Sequence, residues 1–158
     1  MNHAAASVSA PAIGIDLGGT QVRAALVAPD GRLLARAAMR TDAEGGPRAV
    51  VEQIRQLVAS VSAGCAPSEL AGIGVCAPGP LDGEAGLVLG IPTLPGWTDI
   101  PLVDWLQAAL DLPVLLENDG VGAAIGEWRF GAQASRKKPG VSEQALGSEL
   151  RCRHEWVS

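Results

Sequence analysis

Three short stretches of this sequence hold residue types that can handle a phosphate, a small polar ligand and a proton. The first is DLGGT, Asp16 to Thr20, in which a carboxylate at the end of an apolar run meets two glycines and a hydroxyl. Glycine lets the backbone approach a bulky anion and point N–H groups at it. Thr20 adds a hydroxyl donor, and Asp16 beside a phosphate can hold Mg²⁺ directly or through water. An ordinary hairpin turn uses the same glycines; the Asp before them and the apolar strand around them shift the balance toward anion binding. The second stretch is CAPGPLD, Cys76 to Asp82, where Gly79 lies between two prolines at the end of another apolar run. Ligands in α/β folds commonly sit at such strand ends, although a merely stiff turn has the same composition. The third is END, Glu117 to Asp119. Asn and Asp are good helix N-caps, but one cap needs one such residue, and here three polar side chains follow PVLL in a row.

The glycines after END sharpen the question. Gly120, Gly122 and Gly126 fall within a helix-like segment ending near Phe130. Each glycine in a helix interior costs up to ~1 kcal/mol relative to Ala. Close packing of the backbone against another element or a ligand is the natural compensation.

The surrounding pattern supplies elements to position these stretches. Ile13–Leu17, Val22–Ala28 and Leu33–Met39 read as three strands, joined by turns at Gly18–Thr20 and at the PDG of residues 29–31. Pro47 to Ser62 reads as a helix with Val50, Ile54, Leu57, Val58 and Val61 on one face. Pro47 suits its first turn and Gly64 its stop. LAGIGVCAPGPLDG is a buried strand running into a loop, and LPGWTDIP is a further loop. Leu102–Leu110 is a short helix with Leu102, Val103, Leu106 and Leu110 on one side, LPVLLE is a strand, and Asn118–Phe130 is the last helix. The order β-β-β-α-β-α-β-α, three antiparallel strands followed by α/β crossovers, predicts one ribonuclease-H-like lobe.

Composition sets the bounds. The chain has 158 residues, enough for one domain. It has no Tyr and only one Phe, so its core must be aliphatic. A net charge of −5 argues against nucleic acid, because phosphate backbones call for clustered Lys and Arg. Cys65, Cys76 and Cys152 are scattered, with no CxxC spacing, and read as reduced thiols. The start, MNHAAASVSAPA, lacks the basic and apolar regions of a signal peptide. No apolar run reaches membrane-spanning length. A soluble, cytoplasmic protein is expected.

The motifs together resemble the ROK family of repressors, open reading frames and sugar kinases, which includes bacterial glucokinases. IGIDLGGTQVRAAL, GIGVCAPGPLD, LPGWTDIPL and ENDGVGAAIGEW occur in that family's order and spacing, over about residues 12–132. The resemblance implies an α/β, ribonuclease-H-like N-terminal lobe of the actin and hexokinase ATPase type. It implies transfer of the γ-phosphate of ATP to a hydroxyl of a hexose or N-acetylhexosamine, with Mg²⁺ as cofactor and with homo-oligomers left open. By the same resemblance, Asp16, Gly18, Gly19 and Thr20 bind phosphate, with Asp16 on the Mg²⁺ side. Gly79 and Asn118 contact the sugar, Asp119 is the catalytic base, and Glu117 supports the loop. Thr93 stands where the family commonly has Asn, and Gln21 where Lys is common. NDGVGAA, with Val121, replaces the usual NDANAAA. These changes bear on substrate identity rather than on fold.

Three domains are expected: a disordered tail at 1–11, the kinase lobe at 12–132, and a divergent tail at 133–158. Residues 1–132 carry 7 Lys and Arg against 14 Asp and Glu, whereas the tail carries 5 against 3. This switch of sign, with lost periodicity, marks a boundary and predicts a disordered or frameshifted end. Cys152 and His154 alone do not make a zinc site. The family's second lobe, with its further nucleotide and sugar residues and cysteine-rich zinc site, has no counterpart among the motifs here. The expected reading is the N-terminal part of a sugar kinase, incomplete as it stands. A non-enzymatic sugar-binding or regulatory module of the same family is the alternative. A repressor is disfavoured, since IGIDLGGT begins at residue 13 and leaves no room for a preceding helix-turn-helix.

Overall fold

A computed structural model describes residues 9–131. The expected tail at 133–158 lies outside the described residues, as do residues 1–8. Three antiparallel strands come first: β1 (Ala12–Leu17), β2 (Gln21–Val27) and β3 (Leu33–Arg40). Helix α1 (Gly46–Val61) then leads to β4 (Ile73–Ala77). A small hairpin follows, β5 (Leu81–Asp82) and β6 (Leu87–Val88), and α2 (Leu102–Leu110) leads to β7 (Val114–Asn118) and α3 (Asp119–Phe130). The sheet order is β3-β2-β1-β4-β7, with β4 and β7 parallel to β1. The expected α/β lobe of antiparallel strands followed by crossovers is therefore present.

Besides a 3-10 turn at Pro67–Glu69, the element that the sequence pattern does not announce is the β5–β6 hairpin. Asp82 closes it, its Oδ1 accepting from the Glu84 and Ala85 N–H groups at 3.0 and 2.9 Å. Strands of two residues have no alternation to detect, so the segment reads as loop.

Strand parity separates the two faces of the sheet. Ile13, Ile15 and Leu17 of β1, Ile73, Val75 and Ala77 of β4, and Val114 and Leu116 of β7 are all buried on one face. Helices α1 and α2 close that face. Val50, Ile54, Leu57, Val58 and Val61 are buried as the helical spacing predicts, and Val51 joins them. On α2 only Leu102 and Leu106 are fully buried; Val103 and Leu110 are partly so. The Arg48 guanidinium lies 3.4 Å from the centre of the Trp105 ring and ties α1 to α2. Among the described residues Trp97 is the largest fully buried side chain, and it anchors the loop before α2. The core is aliphatic apart from this tryptophan. Gly31, in the turn between β2 and β3, has φ +86, which favours glycine, and a Cβ there would run into the Phe130 ring.

The opposite face is polar at one end. Asp16, Cys76 and Glu117 are register neighbours on β1, β4 and β7, and Arg23 of β2 pairs with Asp16. Helix α3 lies on this side and has no fully buried residue.

Candidate active site at the C-terminal edge of the sheet

The three stretches singled out from sequence all leave the C-terminal ends of the parallel strands β1, β4 and β7. The fold thus gathers them along one sheet edge, where crossovers leave a crevice.

The loop of Gly18, Gly19 and Thr20 joins β1 to β2. Together with Asp16, Gln21 and Arg23 it lines an open depression of about 270 Å³. Gly18 N–H donates to Gln21 O at 2.9 Å and tightens the turn. Thr41, just after β3, holds the loop from beneath: its Oγ1 donates to Gly18 O at 2.7 Å and its N–H to Thr20 O at 2.9 Å. Thr41 is 6% exposed and is the one buried polar residue among the described residues. Gly19 makes no hydrogen bond among the described residues, so its N–H is available to an anion.

Asp16 is not isolated. Arg23 Nη1 donates to Asp16 Oδ2 at 3.1 Å, and Gln21 Oε1 accepts from Arg23 Nε and Nη2 at 3.2 and 3.0 Å. Both side chains are more than half exposed, so the pair is weak and exchangeable. Among the described residues no group of three His, Cys, Asp or Glu gathers to hold a metal. A single exposed carboxylate nevertheless suits Mg²⁺, which keeps most of its waters and binds through one or two carboxylates plus substrate phosphates.

The END stretch forms the turn from β7 into α3. Asn118 is the N-cap, its Oδ1 accepting from Gly120 N–H at 3.0 Å. Asp119 is the first helical residue, and its Oδ1 accepts from the same N–H at 2.7 Å. Glu117 Oε1 accepts from Asn118 N–H at 2.9 Å and steadies the turn. The Asn118 amide nitrogen faces Gly79, 3.3 Å from where a Cβ on that glycine would lie. Gly79 and Asn118 are therefore side by side, with a cis bond between Gly79 and Pro80.

Cys76 lies between the two groups. Burial raises its thiol pKa first, and the carboxylates of Asp16, Glu117 and Asp119 add to the rise. The three carboxylates thus surround one protonated thiol. The glycine-loop residues share one depression, whereas Gly79, Asn118 and Asp119 stand beyond it on the open edge.

Several contributors were not singled out from sequence. Arg23 follows Asp16 by seven residues and carries no motif; its signal is alternation with Gln21 on the face that Asp16 occupies. Thr41 is a lone hydroxyl after a strand and gives no sequence signal. Thr93 also has a structural partner, since a Cβ on Gly19 would overlap its Oγ1 and lie 2.9 Å from its Cβ. The loop before α2 therefore rests on the glycine loop.

The three helix glycines resolve differently. Gly122 closely approaches Cys76, Gly120 lies at the cap beside Asn118, and Gly126 faces open space. The expected close packing accounts for Gly122; we have no physical account of Gly126.

Comparison with known proteins places the chain in a family. The ROK family matches residues 12–138. A glucokinase of Thermotoga maritima is 38% identical over 120 residues, covering 76% of this chain and 37% of the relative. An N-acetylmannosamine kinase of Escherichia fergusonii is 33% identical over 117 residues, covering 74% of this chain and 38% of the relative. Among solved structures, a ROK family glucokinase from Streptomyces griseus in complex with glucose and AMPPNP superposes with a TM-score of 0.70 at 35% identity. That match covers 77% of this chain and 37% of the other. The chain thus spans little more than a third of the length of these relatives, and its fold is that of the actin and hexokinase ATPases.

Proposed function

Because this chain belongs to the ROK family, we propose that it forms the N-terminal lobe of an ATP-dependent sugar kinase that transfers the γ-phosphate of ATP to a hydroxyl of a hexose or N-acetylhexosamine. One observation carries the reading: a glycine loop with an available N–H and an Asn–Asp helix start stand along the same sheet edge, with Cys76 between their carboxylates. The first suits phosphate and the second suits a sugar and its proton. A cytoplasmic setting fits a reaction that draws on ATP.

The division of labour follows from the side chains. Gly19 and Thr20 receive phosphate oxygens through backbone N–H groups and the Thr20 hydroxyl, while Gly18, whose N–H closes the turn onto Gln21 O, lets the backbone approach the anion. Thr41 keeps that loop in shape from below. Asp16 would hold Mg²⁺, directly or through water, exchanging its partner Arg23 for the ion; the ion supplies charge neutralisation at the phosphates. Asn118 and the Gly79 backbone hold sugar hydroxyls. Asp119 takes the proton from the attacking hydroxyl as the phosphoryl group transfers, and the proton ends on its carboxylate. Phosphoryl transfer needs little covalent chemistry from the protein, so a correctly placed carboxylate suffices. The residues matched here form one wall of the cleft, and turnover needs a facing wall to hold adenine, phosphates and sugar in line.

Sugar binding tests the substrate side in the chain itself. Titration of the 158-residue protein with glucose and with N-acetylmannosamine, followed by ¹⁵N–¹H correlation spectra, is expected to shift the Gly79, Asn118 and Asp119 amides. Spectra in which neither sugar moves these amides contradict the assignment.

A further inference from the structure

We propose that Cys76 and Gly122 form a positioning pair that sets the height of Asp119 above the sheet. The inference rests on the reading of Asp119 as the base and adds residues that reading does not use. Helix α3 has no fully buried residue, so it lacks the apolar anchors that fix α1 and α2. Its contact at the first turn is of another kind. A Cβ on Gly122 would overlap Cys76 Sγ and lie 3.6 Å from Cys76 Cβ. The thiol therefore occupies the volume that an alanine side chain would need. Glycine weakens a helix interior relative to alanine, and here it admits a close approach of helix to strand.

The position of the contact gives it consequence. Gly122 is three residues after Asp119, so both lie on one side of the helix, a turn apart. Cys76 is the register neighbour of Asp16 on one side and Glu117 on the other. One side chain thus spaces the helix bearing Asp119 from β4, the strand that lies between those bearing Asp16 and Glu117. Gly126, a turn further on, faces open space; the helix backbone makes its close approach at the end that carries Asp119, while at the far end the Phe130 ring lies against Gly31.

The test uses the 158-residue chain with Gly122→Ala, Cys76→Ala and the double variant. Gly122→Ala is expected to displace the helix start, shifting the Asp119 and Gly120 amide resonances and lowering the thermal midpoint by roughly 4 °C or more. Cys76→Ala removes the sulfur, so in the double variant the methyl added on the helix meets only the methyl left on the strand, at ordinary contact distance. The double variant is therefore expected to return both resonances and the midpoint toward wild type. Should Gly122→Ala alone fail to fold, a folded double variant is the expected result. Unmoved Asp119 and Gly120 resonances in a folded Gly122→Ala protein would overturn the proposal, as would a double variant that recovers neither fold nor resonances. Turnover is not read, so failure of the pair shows in the resonances and failure of the kinase reading shows in the rate of an Asp119 variant.

Discussion

Replacing Asp119 by Asn, in a chimera that supplies a ROK family C-terminal lobe, is expected to lower kcat by roughly 10²–10⁴-fold, or about 3–5 kcal/mol in barrier, with little change in KM for sugar. Asn keeps the size of Asp and one acceptor, so the Oδ1 bond to Gly120 N–H survives the change. The cap itself belongs to Asn118, which the substitution leaves alone. What disappears is the carboxylate that accepts the hydroxyl's proton. A purely structural Asp119 predicts a near-normal rate, since Asn serves a helix start about as well as Asp. Steady-state kinetics at matched thermal midpoints separates the two, and a retained kcat would demote Asp119 to a structural residue.

Gly19→Ala is expected to impair the phosphate side. The new methyl would overlap Thr93 Oγ1 and lie 2.9 Å from Thr93 Cβ, so either the glycine loop or the loop before α2 must move. Overpacking of this kind costs about 1–3 kcal/mol of stability; where the glycine loop yields and the cost falls on ATP binding, kcat/KM for ATP falls by up to roughly 150-fold. Thr93→Ala in the same chain removes the nearest atom but leaves the Cβ, so partial recovery is expected. The chimera's kcat/KM for ATP is the quantity to follow. Equal activity of Gly19→Ala and wild type would show that neither the contact nor the loop geometry matters to phosphate.

These expectations draw on features of unequal legibility. Helix α1 could be read directly, because Val50, Ile54, Leu57, Val58 and Val61 repeat at helical spacing and all face the core. The β1-β2-β3 meander was legible from its glycine turns. The β5–β6 hairpin was not, since two-residue strands carry no period. Strand β4 shows why the site was only partly visible. Its residues Ile73, Val75, Cys76 and Ala77 are apolar on both faces, so sequence could not tell that Cys76 faces the carboxylates while its neighbours face the core. Thr41 holds the glycine loop through a contact 23 residues distant and Arg23 pairs with Asp16, 7 residues away, and no local pattern announces either. The placement of the three motif stretches at strand ends was legible, because each follows an apolar run with side chains a bland turn does not need.

The most direct measurement is hexose phosphorylation by the chimera with wild-type residues 12–132. Glucose and N-acetylmannosamine are each incubated with ATP and Mg²⁺, and sugar phosphate is followed by ³¹P spectroscopy. Sugar phosphate is expected from at least one of them, dependent on ATP and collapsing in Asp119→Asn. A chimera that folds and binds sugar at Gly79 and Asn118 yet transfers no phosphate would contradict the kinase reading, and would make this chain a sugar-binding module instead.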